Sequence, residues 1–312
     1  MTDTEASRAA LIAMTVQSPV MAALADGRAE AMLDAIEDVW VDDLHLDLHR
    51  ADSPESVVVL QPGFGGHARC YFLLGALLAR AGHHVLAIDR PGHGLSAGPR
   101  GDCTISCGLE ASARTLAYAR EQFDLPVILL GSSLGGMLAT FAVLEGQRPD
   151  LVVAHNFLCP GKLASMRLRG RFIERFRQRP YRLSELVHNL KTMSADPGMR
   201  GYFESEADPH MVWHMPPRVV ADLFRYRPPR PSGSEPPVVL LSGGSDPAIP
   251  AWASRLFLRW CGIRPMATHI LPDCGHWLCS EHLDVALPVL LDVMHIPRRP
   301  AFRQAGASAE AE

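Results

Sequence analysis

The sequence predicts an α/β protein, with a doubly wound and mostly parallel sheet that carries one helical insertion. Six apolar runs recur along the chain, and segments with helical spacing lie between them. Continuous apolar runs are typical of parallel strands that are buried on both faces. One long stretch breaks this alternation and indicates the insertion. The chain has 312 residues, enough for one large domain with an insertion, and its 47% hydrophobic content allows a sizeable core.

Residues 1–40 are expected to form a helical segment that precedes the sheet. Apolar residues recur with helical spacing across 29–39, and residues 9–16 form an apolar stretch behind Asp3 and Glu5. Because a signal peptide begins with positive charge, we expect a peripheral helix there and no export signal. The next stretch, "VDDLHLDLHR", alternates leucine with polar residues, which predicts a half-buried strand.

The core is expected to comprise residues 41–160 and 235–297. Its predicted strands lie in the runs "SVVVLQPGFGG", "HHVLAIDRPGHG", "PVILLGSSLGG", "LVVAHNFLCP", "PVVLLSGGSDP" and the weaker "ATHILPDCGHW". Its predicted helices span residues 71–80, 109–123, 134–145, 252–260 and 283–294. Since ligands bind beyond the carboxyl ends of parallel strands, the polar residues that end these runs are candidates for a site.

The insertion is expected to form a helical cap over residues 161–234, which contain no strand-like run and are rich in Arg, Pro, Met and aromatic residues. Its apolar side chains either line a pocket for an acyl chain or form the cap's own core. Within it, "MRLRGRFIERFRQRPYR" carries seven arginines and one acid. That segment is a solvated helix face, or it contacts an anionic membrane surface transiently, or it contacts a charged head group. Residues 298–312 are small and polar, and we expect a disordered tail there.

A G-x-S-x-G motif occupies residues 131–135, where an apolar run meets a predicted helix. This strand–turn–helix setting presents a nucleophilic serine at the apex of a tight turn. Ser133 is the central serine of the motif, so we predict it as the nucleophile in preference to Ser132. Side chains at Gly131 or Gly135 would collide with the neighbouring strand or helix. The alternative interpretation is a Gly/Ser-rich helix cap.

A serine hydroxyl is a poor nucleophile unless a base takes its proton. His276 in "DCGHW" directly follows the last apolar run and is the predicted base. Asp246 in "SGGSDPAIP" also ends a run and is predicted to orient the imidazole. The chain order Ser133, Asp246, His276 is the order found in triads on such sheets. An Asp before Pro is also an ordinary turn former.

The tetrahedral intermediate of acyl transfer carries negative charge and needs hydrogen-bond donors. The backbone N–H of Leu134, directly after the nucleophile, is one predicted donor. The second is expected from the loop "QPGFGGH", at the N–H of Phe64, because the flanking glycines let this backbone approach a substrate. The alternative interpretation of this loop is a plain strand-to-helix turn.

These motifs resemble the α/β-hydrolase superfamily and, within it, the serine hydrolases grouped with monoacylglycerol lipases and lysophospholipases (serine aminopeptidase S33-like). The resemblance covers about residues 57–159 and 237–291. It implies that a pattern Asp-x-x-Gly-His-Gly-x-Ser, from Asp89 to Ser96, shapes the floor of the site without being catalytic. The sequence departs from the family at Pro62, since the glycine loop of the family opens with His-Gly. It also has Ser132 where many relatives carry a bulkier residue, which widens the wall beside the nucleophile.

The predicted function is hydrolysis of a carboxylic ester, such as a monoacylglycerol or a lysophospholipid, through an acyl-enzyme on Ser133. This chemistry requires no metal and no organic cofactor. Two alternatives stay open. An acyltransferase would use the same triad, and "GSSLGGM" locally resembles homoserine acetyltransferases. A non-catalytic relative would bind a small molecule or a partner in the same pocket.

Composition restricts the partners and the compartment. A net charge of −4 and a pI near 6.4 give no indication of general nucleic-acid binding, so a small-molecule acyl ester is the expected partner. The seven cysteines show no CxxC pair, which favours a reducing, cytoplasmic compartment over a disulfide framework or a zinc cluster. No apolar run approaches the roughly 20 residues that cross a bilayer.

Overall fold

An eight-stranded sheet organises the chain, and the computed structural model describes residues 2–186 and 194–295. The strands of this sheet are β1 Glu37–Val41, β2 Leu44–His49, β3 Ser56–Gln61, β4 His83–Ile88, β5 Val127–Ser132, β6 Leu151–His155, β9 Val238–Gly243 and β10 Ala267–Leu271. Their order is β1-β2-β4-β3-β5-β6-β9-β10. The β1–β2 and β2–β4 pairs are antiparallel, and all the others are parallel.

The six predicted runs are confirmed as the parallel strands. Every residue of β3, β4, β5, β6 and β9 is buried, as expected of strands covered on both faces. The weaker run forms β10, which lies at the sheet edge and alternates between partly buried and exposed residues before it ends at the buried Leu271. An edge strand is covered less completely, and this explains its less continuous apolar pattern.

Twelve helices of the described residues surround the sheet and the site. They are α1 Asp3–Gln17, α2 Pro19–Ala25, α3 Ala29–Asp34, α4 Phe72–Arg80, α5 Ile105–Gln122, α6 Leu134–Leu144, α7 Ala164–Phe176, α8 Leu183–Leu186, α9 Pro197–Ser205, α10 Pro217–Arg225, α11 Ala251–Cys261 and α12 Leu283–Met294. Two apolar clusters cover the two sheet faces: α1 to α4 and α12 contribute to one, and α5, α6 and α11 contribute to the other. The sheet is therefore doubly wound, as predicted.

The N-terminal prediction was wrong in two respects. The helix expected over 29–39 ends at Asp34, and residues Glu37–Val41 instead pair with β2 as an antiparallel strand. The helix α1 is also less peripheral than expected, because Leu11 is fully buried and Met14 lines a cavity. A short apolar repeat such as 29–39 fits a helix and a strand almost equally well, so only the pairing with β2 decides between them.

The strand expected to be half-buried, β2, is buried along its whole length. Its polar side chains have partners inside the protein. His45 contacts Asp89 at 2.8 Å, and Arg69 donates to Asp47 at 3.0 Å. An alternating strand exposes its polar side only when those side chains have no hydrogen-bond partners inside the protein. In β2 they have such partners, so both sides of the strand can be buried.

The segment between β6 and β9 contains helices α7 to α10. It also contains a two-residue antiparallel ladder that the sequence did not predict, β7 Tyr181–Arg182 with β8 His214–Met215. A ladder this short has no periodicity that a sequence pattern can reveal. Residues 187–193 and the tail expected at 298–312 lie outside the described residues.

No single helix among residues 2–186 and 194–295 is both long and apolar enough to span a bilayer. Helices α1 and α2 together reach the required length and composition, but they meet at a bend of 104°.

Candidate active site

Ser133 lies at the turn between β5 and α6 with a φ of 55°, a left-handed conformation that non-glycine residues rarely adopt. The turn needs its glycines, as predicted. A Cβ on Gly131 would meet the backbone of Gly135, and a Cβ on Gly135 would meet the backbone oxygen of Gln61. The strained turn raises the Ser133 side chain above the carboxyl end of the central strand.

The structure brings the three predicted side chains together. The Nε2 atom of His276 lies 3.0 Å from Oγ of Ser133, and its Nδ1 atom lies 2.8 Å from Oδ2 of Asp246. Asp246 and His276 are both 4% exposed. The imidazole is therefore held between a hydroxyl and a carboxylate in the arrangement that lets a base remove a serine proton.

Asp246 is saturated with hydrogen bonds. Its Oδ1 accepts from the backbone N–H groups of Ala248 and Ile249, at 2.8 and 3.0 Å, and its Oδ2 faces His276. Burial raises the pKa of Asp246, but the hydrogen bond and charge of His276 and the two N–H groups outweigh burial and lower the pKa below its ordinary value. The carboxylate is therefore ionised and available to stabilise a charged imidazole.

Sequence reasoning missed a pair of residues behind the three. His155 and Asn156 end the apolar run of β6, so their position at a strand end was the available signal. Asn156 donates from Nδ2 to Oδ2 of Asp246 at 2.7 Å and lies 3.0 Å from Nε2 of His155. Nδ1 of His155 lies 3.2 Å from Oγ of Ser132. Asn156 therefore holds the same carboxylate oxygen that faces His276, and His155 connects Asn156 to Ser132.

The loop that carries Phe64 is fixed by a buried arginine. Arg90 donates to the carbonyl oxygens of Pro62 and Gly63 at 2.6 and 2.8 Å, and the N–H of Gly63 donates to the Tyr71 hydroxyl at 2.9 Å. Pro62 stands in this loop where the family carries a histidine. Arg90 and Tyr71 supply hydrogen bonds to its first two residues, and neither role was recognisable from the sequence.

Asp89 also acts as a structural anchor. Its carboxylate accepts from the N–H groups of Ala68 and Leu95, at 2.6 and 2.8 Å, and contacts His45. The family pattern implied that residues 89–96 shape the floor of the site, and these bonds connect that floor to the loop after β3.

Comparisons with known proteins identify the family of the chain. Residues 57–286 match the model of the alpha/beta hydrolase family. The chain belongs to this family. A curated monoacylglycerol lipase from Mycolicibacterium smegmatis is 28% identical over 263 residues, which cover 79% of this chain and 87% of that protein. Phospholipase YtpA from Bacillus subtilis is 31% identical over 102 residues, which cover 33% of this chain and 39% of that protein.

Solved structures show the same fold. A soluble variant of monoglyceride lipase from Saccharomyces cerevisiae aligns with a TM-score of 0.65 at 16% identity, and the alignment covers 83% of this chain and 92% of that one. At this identity the likeness concerns the fold alone. Its coverage extends beyond the sheet of this alpha/beta hydrolase into the helices that surround it.

Ser133 of this alpha/beta hydrolase lies between two cavities. The larger, of about 390 Å³, is lined by Ser133, His276 and apolar side chains of α1 and the insertion, among them Met14, Met199, Phe203 and Met211. The smaller, of about 190 Å³, is bounded by α6 and α10, and its lining includes Leu134, Met137, Leu223 and Phe224. Phe64 and Ser133 line both cavities.

Some of the large apolar residues of the insertion line the larger cavity, and others are exposed to solvent on α7. Met199, Tyr202, Phe203 and Met211 line the larger cavity, as one interpretation of the sequence expected. In contrast, Leu168, Phe172 and Phe176 are more than 60% exposed on α7. Met193 lies outside the described residues.

Two groups of described residues bring three potential metal ligands within 4.8 Å of one another. Asp38, His45 and Asp47 form one group at the sheet edge, where Arg69 donates to both carboxylates. The second group, His67, Cys70 and Asp208, borders the larger cavity. Neither group includes a residue of the Ser133 site.

Proposed function

We propose that this alpha/beta hydrolase is a serine esterase that cleaves esters of apolar acyl groups with small alcohols, such as monoacylglycerols or lysophospholipids. At the coarser level, the chain is a carboxylic ester hydrolase, consistent with its family and with relatives named lipases and esterases. The observation that carries the finer proposal is the contact of His276 with both Ser133 and Asp246 beside two cavities.

In the proposed mechanism, Oγ of Ser133 attacks the ester carbonyl while Nε2 of His276 takes the hydroxyl proton. Asp246 holds Nδ1 of His276 and stabilises the imidazolium that forms. His276 then gives the proton to the leaving alcohol, so that an acyl-enzyme remains. Water enters, His276 removes one of its protons, and the acid is released from Ser133.

We further propose that the N–H groups of Leu134 and Phe64 bind the oxyanion. Leu134 is the first residue of α6, so its N–H has no partner inside the helix, and Leu134 lines the smaller cavity together with Ser133. The positive end of the helix dipole adds to this effect. Phe64 lies on the loop that Arg90 fixes, and preorganised donors of this kind stabilise developing charge without reorganisation.

The two cavities suggest where each part of the substrate binds. An ester bond placed at Ser133 has one space on each side, so its acyl and alcohol parts can occupy separate cavities. Apolar side chains dominate the helical parts of both linings. An apolar acyl chain is stabilised there by removal from water, by about 0.8 kcal/mol for each buried methylene.

The exposed apolar residues of α7 support a further part of the proposal. Leu168, Phe172 and Phe176 stand among Arg169, Arg171 and Arg175 on one short helix. This combination of apolar and basic side chains suits transient contact with an anionic membrane surface, from which lipid esters are taken. A cytoplasmic location agrees with the seven free thiols.

The deciding experiment measures hydrolysis of p-nitrophenyl esters from acetate to palmitate by the wild type and by Ser133→Ala. We expect the variant to lose turnover by a factor on the order of 10⁴ to 10⁶. Ser106→Ala, which changes an exposed serine on α5, is the matched control. Near-normal turnover by Ser133→Ala contradicts the mechanism, and acyl transfer to an added alcohol in place of water identifies an acyltransferase.

Filling each cavity separately identifies the acyl site. Met199→Trp reduces the larger cavity and Leu223→Trp the smaller one. We expect one of these variants to shorten the preferred chain length and the other to leave it unchanged. If neither changes the preference, the acyl chain binds elsewhere and this part of the proposal is wrong.

A further inference from the structure

A second set of nucleophile, imidazole and carboxylate lies beside the larger cavity. His67 follows the glycine loop, Cys70 belongs to the short turn Ala68–Tyr71, and Asp208 comes from the insertion. Nε2 of His67 lies 2.9 Å from Oδ2 of Asp208, and the reactive atoms of all three residues lie within 4.8 Å of one another. The hydroxyl of Tyr202 lies 2.7 Å from Oδ2 of Asp208 and 3.5 Å from Sγ of Cys70.

Burial differs across this set in a way that suits reactivity. His67 and Asp208 are buried, while Cys70 is half-buried and lines the cavity that also contains Ser133. Of the seven cysteines, Cys70 and Cys107 are partly exposed and the other five are buried. A molecule inside the larger cavity can therefore reach the Cys70 thiol.

We propose that Cys70 is a second nucleophile in this cavity, activated by His67 and Asp208, and that α,β-unsaturated aldehydes with an apolar chain modify it. The imidazole takes the thiol proton, and Asp208 stabilises the resulting imidazolium. The thiolate sulfur then forms a bond to the β carbon of the aldehyde while the carbon–carbon π bond breaks. The electron pair moves to the α carbon, which receives the proton from His67, so no other reactant is needed.

The charges that face His67 favour this step. Burial lowers the pKa of His67, but the charges and hydrogen bonds of Cys70 and Asp208 outweigh burial and raise the pKa well above its ordinary value. The ring of His210 packs against His67 at 5.8 Å, and burial lowers the pKa of His210, so this neighbour is neutral. Asp89, which accepts from the N–H of Ala68, adds a second negative charge nearby.

Arg100 acts on His210 and adds a positive charge beside this ring pair, and two phenols also lie beside Cys70. Tyr202 contacts Cys70 directly, and Tyr71 follows it in the chain and also lines the cavity. Burial raises the pKa of both phenols, so both are neutral hydroxyls at neutral pH. Neither competes with His67 for the thiol proton.

The lining of the cavity defines the electrophile. Met199, Phe203 and Met211 line it together with Cys70, so an aldehyde with an alkyl chain gains apolar contacts that a short aldehyde lacks. We therefore expect trans-2-nonenal to modify Cys70 faster than acrolein does, although acrolein is the less hindered reagent.

The test follows modification of the full-length protein by mass spectrometry, in a Cys107→Ser background so that Cys70 is the one partly exposed thiol. Adducts of trans-2-nonenal and acrolein are fixed with borohydride and mapped to peptides. Iodoacetamide, which forms an S–C bond and releases iodide, measures the pH dependence of reactivity. Adduct mass is independent of ester hydrolysis, so the result stands even if the proposed function fails.

We expect Cys70 to react with iodoacetamide at pH 6.5 about tenfold faster than an ordinary thiol of pKa near 8.5. His67→Gln and Asp208→Asn should remove this advantage while the unfolding temperature shows that each variant is folded. Asp208→Asn is the milder change because it keeps the size of the side chain. If His67→Gln does not fold, Asp208→Asn alone tests whether this pair activates Cys70.

Three results overturn the proposal. Cys70 reacting no faster than an ordinary thiol excludes activation, and equal rates for trans-2-nonenal and acrolein exclude the apolar-chain preference. Tight binding of Zn²⁺ that Cys70→Ser abolishes, together with slow alkylation of the metal-free protein, identifies a metal site instead.

Discussion

At the scale of single residues, the carboxylate of Asp246 depends on a neighbour outside the three predicted side chains. Asn156 donates to the same oxygen that faces His276, and it does so from a left-handed backbone conformation with a φ of 62°. Its Nδ2 also lies 3.0 Å from Nε2 of His155, which makes that nitrogen the acceptor. Burial lowers the pKa of His155 to about 3, so the ring is neutral and adds no charge beside the imidazolium of His276.

Replacing Asn156 should therefore slow the chemical step. Asn156→Gly keeps the backbone conformation and removes the amide, and we expect kcat to fall about tenfold with little change in KM, since a hydrogen bond to a charged group contributes about 1.5–3 kcal/mol. Asn156→Asp places a second carboxylate against Asp246. We expect this variant to lower kcat more strongly at neutral pH, where both carboxylates are charged, than at acidic pH. Unchanged kcat in both variants excludes a positioning role for Asn156.

Arg90 provides the second prediction at this scale. It is buried, and its two guanidinium contacts fix the carbonyls of Pro62 and Gly63. Arg90→Lys keeps the charge but loses the forked pair of donors, so the loop of Phe64 loosens. We expect kcat to fall about tenfold while the fluorophosphonate reaction of Ser133 persists. Arg80→Lys on α4 is the control, and an unchanged kcat for Arg90→Lys contradicts the role assigned to this arginine.

At the scale of secondary-structure elements, α7 exposes three large apolar residues on one helix. Leu168, Phe172 and Phe176 are 67%, 63% and 65% exposed, and the rings of Phe172 and Phe176 contact each other at an interplanar angle of 43° with centroids 4.7 Å apart. If this face meets a membrane, Phe172→Ser should weaken binding to vesicles that contain anionic lipid, measured by co-sedimentation.

Met266→Ser is the matched control for this experiment, because Met266 is 64% exposed and precedes the edge strand β10. We expect Phe172→Ser to lower vesicle binding several-fold and Met266→Ser to leave it unchanged. Binding should also decrease with added salt, since arginines supply part of the attraction. Equal binding by the wild type and Phe172→Ser indicates that α7 is a solvated face.

At the scale of the whole molecule, buried histidines link stability to pH. Burial, together with nearby arginines or His276, lowers the pKa of His49 to about 4 and of His93 and His155 to about 3. The unfolded chain takes up these protons near pH 6.5, whereas the folded protein takes them up only at lower pH. Protons therefore favour the unfolded state, and stability falls as the pH decreases from about 6.5 to 4.

His49 allows this prediction to be tested at one position. Its imidazole packs against Gly75 on α4, where a Cβ would meet the ring. Because the pKa of His49 is about 4 in the folded protein, this imidazole should lower the free energy of unfolding by on the order of 3 kcal/mol as the pH falls from 6.5 to 4. A variant without the imidazole should lack this decrease. Thermal unfolding of the wild type and His49→Leu at both pH values measures it. Parallel curves would show that His49 does not contribute.

Much of the fold could be predicted because parallel strands leave a continuous apolar pattern. The glycine turn around Ser133 was recognisable because its strained backbone leaves no room for side chains at Gly131 and Gly135. The polar residues that follow β9 and β10 were recognisable because they stand directly after apolar runs. The antiparallel strand β1 and the buried face of β2 were predicted wrongly. The sequence patterns of both strands are short. Their pairing and burial depend on residues far away in the chain, such as Asp89, which contacts His45 of β2.

The sequence alone determined the fold class, the order of the parallel strands along the chain, and the identities of Ser133, Asp246 and His276 as candidates. Tertiary structure decided their contacts and added Asn156, Arg90 and the group around Cys70, residues whose side chains resemble ordinary loop or core residues in the sequence. The physical reason is that a hydrogen bond between residues far apart in the chain leaves no local periodicity. Asn156 and Asp246 are 90 positions apart, yet 2.7 Å separates their side-chain atoms.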